Sequence, residues 1–169
     1  QLFPAHLQYV QALADRALER DGYDGLVVYS GRPGLHFLDD HGPAFKANPH
    51  FLHWAPLQEA PDCFVRYLPG RRPQLVFHQP ADYWHKPPAV PTAAWTREFD
   101  LTVFREPADA RGLLDAGNRR LACIGELPAE FAEWGFSATN PAGLLSYLHY
   151  HRAAKTPYEL ACMREASRL

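Results

Sequence analysis

The fold class is decided by "HLQYVQALADRALERDGYDGLVVYS", the stretch from His6 to Ser30. Its apolar residues recur at spacings of three and four as far as Arg20, which predicts an amphipathic helix. Gly22 and the Asp-Gly pair that follows it end this helix. The run "LVVYS", Leu26 to Ser30, is apolar and rich in β-branched residues, so we expect a buried strand. A helix, a tight turn and a buried strand in succession predict a layered α/β domain.

Further strands and helices follow along the chain. The apolar runs Cys63–Leu68 and Gln74–Gln79 flank the turn sequence "PGRRP" and predict a hairpin. The later elements that we predict are a strand at Asp100–Phe104, a helix at Asp109–Asp115, a strand at Arg120–Gly125, a helix at Pro128–Trp134, a short strand in "GFSATN", and a helix that Asn140 caps and that runs to His151. We therefore predict an α/β fold with a mixed β-sheet flanked by helices.

Composition excludes several classes of protein. The chain has 169 residues, which is enough for one domain with a core but too few for two large ones. The net charge of -2 does not favour nucleic acid or an anionic membrane as a partner. No apolar run approaches the roughly 20 residues that a membrane-spanning helix needs. The three cysteines lack CxxC spacing, so we expect reduced thiols and a cytoplasmic protein.

A long segment without periodicity, from Gly31 to Pro61, contains "FLDDHGPAFKANPHFLHW" (Phe37–Trp54). Loops longer than about 12–15 residues are often functional. The two adjacent aspartates and the histidines suggest a metal centre, but neighbouring residues on an extended chain point to opposite faces. Pro49 and the aromatic residues favour an irregular loop over a helical face shared by His50 and His53. We therefore expect no metal ligand here.

The chemistry of "LDDHG" leaves two interpretations open for Asp40. Aspartate side chains accept hydrogen bonds from nearby backbone N–H groups in turns, and Gly42-Pro43 interrupts regular structure. A turn accounts for one aspartate, here Asp39, and leaves the other free. A free carboxylate on a long aromatic loop suits a cationic group such as an amine.

A second aromatic segment, "PADYWHKPP" from Pro80 to Pro88, also has two interpretations. Tyr83 and Trp84 are either an ordinary cluster held by prolines or an exposed platform for an apolar ligand or a partner chain. His149 and His151 are more typical of a helix C-terminus than of a ligand set. None of the motifs HExxH, GxSxG, P-loop or GxGxxG is present, so we assign no catalytic residue.

The last stretch, "KTPYELACMREASRL", begins a new helix. Thr156, Pro157 and Glu159 form a capping-box pattern. No C-terminal cap signal follows, so we expect this helix to be cut partway. We place a domain boundary between residues 153 and 154.

Five blocks together resemble the bacterial Xaa-Pro dipeptidases, or prolidases, and the similar organophosphorus acid anhydrolases. The blocks are "YDGLVVYSG", "FLDDHGPAFKANPHFLHWAP", "PADYWHKPP", "YLHYHRAAKT" and "ELACMREA", and they stand in the family's order. The resemblance implies that residues 1–153 form a creatinase/prolidase-type N-terminal domain with a ribonuclease H-like fold. Residues 154–169 would be a linker and the start of the first helix of a pita-bread catalytic domain. That second domain carries the family's two Mn²⁺ ions on two Asp, one His and two Glu, so no metal ligand is expected in this chain.

The resemblance also implies a role for the domain. In the family, N-terminal domains mediate dimerisation and place loops over the catalytic pocket. Asp40 resembles the pocket aspartate that contacts the free amine of an Xaa-Pro dipeptide, and Trp84 resembles the aromatic residue that walls the pocket across the dimer. His41 and Gly42 vary among the relatives and receive no role. We expect a homodimer that works with its own C-terminal domain, and a fragment that is inactive alone.

Two alternatives remain. Creatinase-like domains also occur as non-catalytic interaction modules, and the organophosphate-cleaving relatives leave open a substrate that is not a dipeptide.

Overall fold

The structure is a computed structural model that describes residues 2–81, 83 and 87–168, without the side chain of Ala132. Its helices are α1 (Leu2–Asp21), α2 (Pro49–Trp54), α3 (Pro107–Leu114), α4 (Ala129–Ala132), α5 (Ala142–His151) and α6 (Pro157–Ala166), with a 3₁₀ turn at Ala94–Glu98. Its strands are β1 (Gly25–Tyr29), β2 (Phe64–Tyr67), β3 (Gln74–His78), β4 (Asp100–Phe104), β5 (Leu121–Ile124) and β6 (Ala138–Thr139).

The strands form one mixed sheet in the order β4-β3-β2-β1-β5-β6. Strand β2 runs antiparallel to both β1 and β3, while the pairs β1–β5, β3–β4 and β5–β6 are parallel. The predicted mixed sheet flanked by helices is confirmed, and so is the hairpin of β2 and β3. Because β1 and β5 are parallel neighbours, the loops that follow them leave the same edge of the sheet.

Strand β1 lies at the centre, and its side chains enter two separate cores. Leu26 and Val28 belong to the core that includes α1, α2 and α5. Val27 and Tyr29 belong to the core on the other face, which includes α3 and α4. Successive residues of a strand point to opposite faces, and here both faces are covered, so the whole strand is buried. Burial of each such aliphatic side chain contributes about 1.5–3 kcal/mol.

Helix α2 corrects the prediction of an irregular loop around His50 and His53. Asn48 is its N-cap, and the Oδ1 atom of Asn48 accepts a hydrogen bond from the His50 N–H at 2.9 Å. Pro49 stands in the first turn, where its fixed φ and missing N–H suit a helix start. The prediction was wrong because it treated the proline as an interruption of regular structure.

The predicted role of Asn140 as a helix cap is also wrong. Helix α5 begins after Pro141, with no side-chain capping bond. Asn140 has a φ of 52° and instead bonds the backbone of Gly125, the residue that follows β5. Asparagine tolerates this left-handed conformation better than most residues do.

The predicted capping box at α6 is confirmed. Thr156 Oγ1 accepts a hydrogen bond from the Glu159 N–H at 3.3 Å, and Glu159 Oε2 accepts one from the Thr156 N–H at 2.8 Å. The ring of Tyr158 packs edge-on against Phe3 of α1, with centroids 5.2 Å apart. The first turn of α6 is therefore held against α1, and the domain boundary between residues 153 and 154 stays a prediction.

In the part of the chain that the structure describes, no helix combines the length and apolar character needed to cross a bilayer. The three cysteines are free thiols, as predicted: Cys63 and Cys123 are buried, and Cys162 is exposed.

Candidate functional site

The segment between β1 and α2, residues 31–48, is called here the projecting loop, and it carries the predicted site residue Asp40. Near its tip, three large apolar side chains face solvent: Leu35, Phe37 and Leu38 are 72%, 93% and 91% exposed. Single exposed apolar residues are common on protein surfaces, but three within four positions indicate a surface built for contact.

The tip is a closed turn. The His36 N–H donates to the His41 carbonyl at 2.9 Å, and the Asp39 N–H donates to the His36 carbonyl at 3.1 Å. Asp39 Oδ1 accepts a hydrogen bond from the His41 N–H at 3.0 Å. This is the turn-fixing role predicted for Asp39, and it leaves Asp40 outside the backbone hydrogen bonding of the turn.

Asp40 presents its carboxylate to solvent. Its side chain is 93% exposed, and its Oδ1 lies 2.9 Å from His41 Nδ1. Hydrogen bonding from His41 is the main cause that lowers the pKa of Asp40. The group is therefore an anion at neutral pH. Binding of an amine by Asp40 stays a prediction, and so does the role of Trp84, which lies outside the described residues. Tyr83, next to it, is 91% exposed.

Sequence reasoning missed the importance of Gly42. A Cβ atom on Gly42 would lie 1.9 Å from the carbonyl oxygen of Gly34, far inside van der Waals contact. The two sides of the projecting loop therefore approach so closely that only glycine fits at this position. The sequence signal for this close approach was a glycine within a long loop, and the structure shows why glycine is needed there.

The root of the projecting loop is clamped to the rest of the domain by Arg32. Its Nε donates to both carboxylate oxygens of Asp62, at 2.9 and 3.0 Å, and its Nη1 donates to Glu130 Oε1 at 2.6 Å. The guanidinium also lies over the Phe131 ring, 5.1 Å from its centroid. The hydrogen bond from Arg32 lowers the pKa of Glu130, which keeps this partner ionised. Sequence reasoning did not single out these residues, because they come from three distant segments.

Tyr29 completes this clamp from the end of β1. Its hydroxyl donates a hydrogen bond to Asp62 Oδ1. Burial, together with this contact, raises the pKa of Tyr29, so the phenol stays a donor. Asp62 thus receives hydrogen bonds from a strand residue and from the first turn of the loop.

A cavity of about 430 Å³ lies beside the clamp, at the carboxyl ends of β1 and β5. Ligands of open α/β sheets often bind at such an edge. His50 contributes to the lining, and its buried Nε2 has no hydrogen-bond partner within the described part of the chain. Burial, with added repulsion from Arg152 and His149, lowers the pKa of His50 to about 3. Asp40 lies outside this lining, so the structure does not bring the predicted site residue and the cavity together.

The comparison with known families decides what the domain is. A family model described as "Xaa-Pro dipeptidase, N-terminal domain" matches residues 1–150. The chain belongs to the Xaa-Pro dipeptidase family. The resemblance inferred from the five sequence blocks is therefore confirmed.

Curated Xaa-Pro dipeptidases match this N-terminal domain along its whole length. The one from Pectobacterium carotovorum is 44% identical over 169 residues, the one from Stenotrophomonas maltophilia 41% over 165, and the one from Pseudoalteromonas atlantica 39% over 169. These matches cover 98–100% of this chain and 37–38% of the relatives. The chain thus spans well under half the length of the relatives it matches.

A solved structure of a Bacillus anthracis protein, proposed there to be an aminopeptidase P, is a more distant likeness. It superposes with a TM-score of 0.45 at 13% identity, and the match covers 85% of this chain and 35% of that one. No functional argument rests on this likeness.

The described residues of this Xaa-Pro dipeptidase N-terminal domain do not form a suitable site for a pair of manganese ions. A dinuclear site needs carboxylates that hold two ions about 3.5–4 Å apart. The donor groups that converge are Asp39 with Asp40 and His41, and His6 with His53 and Glu159. In the first set, Asp39 Oδ1 already accepts a hydrogen bond from the His41 N–H and the Asp40 side chain is 93% exposed, while the second set has a single carboxylate. Neither set therefore holds two sheltered carboxylates that could bridge a pair of ions.

Proposed function

We propose that this domain belongs to a metal-dependent enzyme that hydrolyses dipeptides with C-terminal proline, and that its projecting loop forms one wall of the substrate pocket. The observation that carries this proposal is the loop tip, where the ionised Asp40 stands beside the exposed Phe37 and Leu38. On a lone domain this tip would leave apolar surface in water. Such a tip is typical of a surface that another domain or subunit covers.

The chemistry of the tip suits a dipeptide amine. An α-amino group has a pKa of about 7.7–8.0, so it is largely cationic at neutral pH and attracts a carboxylate. Apolar neighbours such as Phe37 and Leu38 exclude water once covered, which strengthens that attraction. A longer peptide would place a neutral amide there and leave the Asp40 charge unpaired, which disfavours it. Asp40 would thus select for dipeptides.

The proposal includes the parts of the enzyme that lie outside this domain. A pair of Mn²⁺ ions, held by a C-terminal catalytic domain, would supply the hydrolytic chemistry, and no step of that chemistry uses a residue of this chain. The domain would contribute dimer contacts, with Trp84 reaching the partner's pocket, in a cytoplasmic homodimer. The chain alone would then be inactive. Mn²⁺-dependent release of proline from an Xaa-Pro dipeptide by the purified 169-residue chain would overturn this point.

The test of the site is Asp40→Ala in the full-length enzyme. We expect KM for Xaa-Pro dipeptides to rise roughly tenfold with kcat little changed, because amine binding is lost equally in the ground and transition states. Bound metal should stay the same. With an N-acetylated dipeptide, which has no cationic amine, the variant and the wild type should differ little.

Glu59→Ala is the matched control, since Glu59 is an exposed carboxylate outside the projecting loop. Unchanged kinetics in Asp40→Ala would remove Asp40 from the site, and loss of metal would identify it as a ligand instead. If the parent protein lacks the family's set of two Asp, one His and two Glu, the domain is a non-catalytic interaction module. Faster cleavage of an organophosphate triester than of any Xaa-Pro dipeptide would favour the other alternative.

A further inference from the structure

A buried cluster joins three helices at a place that the proposed function does not use. It consists of His6 from α1, His53 from α2 and Glu159 from α6. One donor atom from each of the three residues can be chosen so that all lie within 4.8 Å of one another. His6 is 3% exposed and His53 is 9% exposed. Three metal-ligating side chains thus converge in the interior from distant parts of the sequence.

The hydrogen bonds of His6 fix its tautomer. Its Nε2 lies 2.8 Å from the His53 carbonyl oxygen, which can only accept, so Nε2 carries the proton. The lone pair of the neutral ring is therefore on Nδ1, which accepts a hydrogen bond from the Thr156 hydroxyl at 2.8 Å and lies 4.0 Å from Glu159 Oε2. Metal-ligating histidines commonly donate their other ring N–H to a backbone carbonyl, as His6 Nε2 does here.

His53 supplies an independent sign that the cluster lacks a component. Its Nε2 is buried, has no hydrogen-bond partner among the residues that the structure describes, and lies 3.8 Å from Glu159 Oε1. A buried polar atom without a partner destabilises the folded state and calls for an explanation. Burial lowers the pKa of His53 to about 4, so this imidazole is neutral and does not pair with Glu159 as a cation.

Glu159 offers one carboxylate oxygen to the space between the histidines. Its Oε2 accepts from the Thr156 N–H at 2.8 Å and lies 3.0 Å from Thr156 Oγ1. Its Oε1 has no bond to Thr156 and faces His53. The capping box therefore holds the carboxylate in place with one oxygen directed at an imidazole nitrogen.

We propose that His6 Nδ1, His53 Nε2 and Glu159 bind one transition-metal ion of the zinc class, with solvent as the fourth ligand. Tetrahedral zinc with bonds of about 2.0–2.1 Å holds its ligand atoms about 3.3–3.5 Å apart. The observed separations are 3.8 Å from His53 Nε2 to Glu159 Oε1 and 4.0 Å from His6 Nδ1 to Glu159 Oε2, and the donor set lies within 4.8 Å, so binding would draw the side chains together. The Thr156 hydroxyl would turn from His6 Nδ1 to Glu159 Oε2, which lies 3.0 Å from it.

Two imidazoles and one carboxylate favour zinc or cobalt over magnesium and calcium. Arg152 and Lys155 add positive charge near His53, so coordination by the imidazoles, rather than charge attraction alone, would have to hold the ion.

The ion would tie α6 to α1 and α2. Because binding to the folded state stabilises it, occupancy should raise the melting temperature of the chain. The melting temperature does not depend on catalysis, so this test can succeed or fail independently of the proposed function.

The experiment is a titration of the metal-free 169-residue chain with Co²⁺, followed by competition with Zn²⁺. We expect one equivalent to give the intense visible absorption of tetrahedral cobalt, and Zn²⁺ to abolish it. His53→Gln and Glu159→Gln should each weaken binding at least tenfold. The matched control is the double variant Asp40→Asn, His41→Gln, which alters the exposed donor set and should bind as the wild type does.

Three results would overturn the proposal: no tetrahedral cobalt spectrum, binding that survives His53→Gln unchanged, or binding lost in the control. Circular dichroism checks that each variant is folded. If His53→Gln does not fold, X-ray absorption of the zinc-loaded wild type gives the answer, since a ligand shell without imidazole would exclude the site.

Discussion

Asn140 and Gly125 form a reciprocal pair of hydrogen bonds. The Gly125 N–H donates to Asn140 Oδ1 at 2.9 Å, and Asn140 Nδ2 donates to the Gly125 carbonyl at 2.8 Å. The Asn140 amide thus satisfies the backbone N–H and C=O groups at the end of β5, as neighbouring strands do along its length. Because Gly125 is buried, loss of the amide would leave two backbone groups without partners.

We expect Asn140→Gly to lower the free energy of unfolding by about 1–3 kcal/mol. Glycine accepts the φ of 52° at this position, so the variant removes the amide without adding backbone strain. Urea unfolding measures the change. Asn118→Gly, at an exposed turn, is the control and should cost much less. Equal losses in the two variants would show that the amide of Asn140 contributes nothing.

Burial of His50, which stacks on His149 with ring centroids 4.7 Å apart, predicts a pH dependence of stability. The pKa of His50 is about 3 in the folded protein and would be near its ordinary 6.5 when unfolded. Between these values the unfolded chain binds the extra proton, so the free energy of unfolding falls as pH falls. The contribution is complete above about pH 6.5 and declines by up to about 1.4 kcal/mol per pH unit below it.

His50→Gln should therefore flatten the fall in stability between about pH 6.5 and pH 4. Part of the slope should remain, since the lowered pKa of His53 acts in the same direction. Urea midpoints across this range provide the measurement. His36→Gln changes an exposed histidine in the same way and should keep the wild-type slope. Parallel pH profiles for His50→Gln and wild type would contradict the prediction.

The Arg32 clamp should contribute to stability although it lies near the surface. Arg32→Ala removes the hydrogen bonds to Asp62, whose side chain is 13% exposed, and should cost about 1–3 kcal/mol. Arg168→Ala removes an ion pair with Glu165 in which both side chains are about three-quarters exposed, and should cost under about 0.5 kcal/mol. Urea unfolding of both variants decides the point, and a similar small effect in both would refute it.

The close approach of Gly42 and Gly34 predicts that only one of them resists substitution. Gly42→Ala should open the projecting loop, because its Cβ would collide with the Gly34 carbonyl, whereas a Cβ on Gly34 meets nothing within 4 Å. Limited chymotrypsin digestion should cleave Gly42→Ala after Phe37 severalfold faster than the wild type. Gly34→Ala should be cleaved at the wild-type rate. Identical digestion of the two variants would mean that the loop is not closed in solution.

Local patterns predicted most of the fold. The run from Leu26 to Ser30 correctly predicted a buried strand, because it is short, apolar and rich in β-branched residues. Helix α2 also had a local signal, an asparagine cap followed by Pro49 in the first turn, which was interpreted as a loop. The sequence contained this signal, and the prediction failed because Pro49 was interpreted as a residue that prevents helix formation.

Other features depend on residues that meet only in the folded chain. Asn140 is a good cap by residue type, but its contact with Gly125 outweighs that preference. Arg32 meets Glu130 across 98 positions, and His6 meets the His53 carbonyl across 47. Family resemblance placed Asp40 in a pocket wall, which sequence chemistry alone left undecided. Residue type and spacing do not reveal such pairs, because topology creates them.

The capping box at Thr156 has a mechanical consequence. It anchors the first turn of α6 against α1, and the same α1 packs under β1, from which the projecting loop departs. The start of α6 is therefore fixed to α1 and is not a flexible connection. A tilt of α6 would therefore have to move α1 with it or break the Tyr158–Phe3 contact.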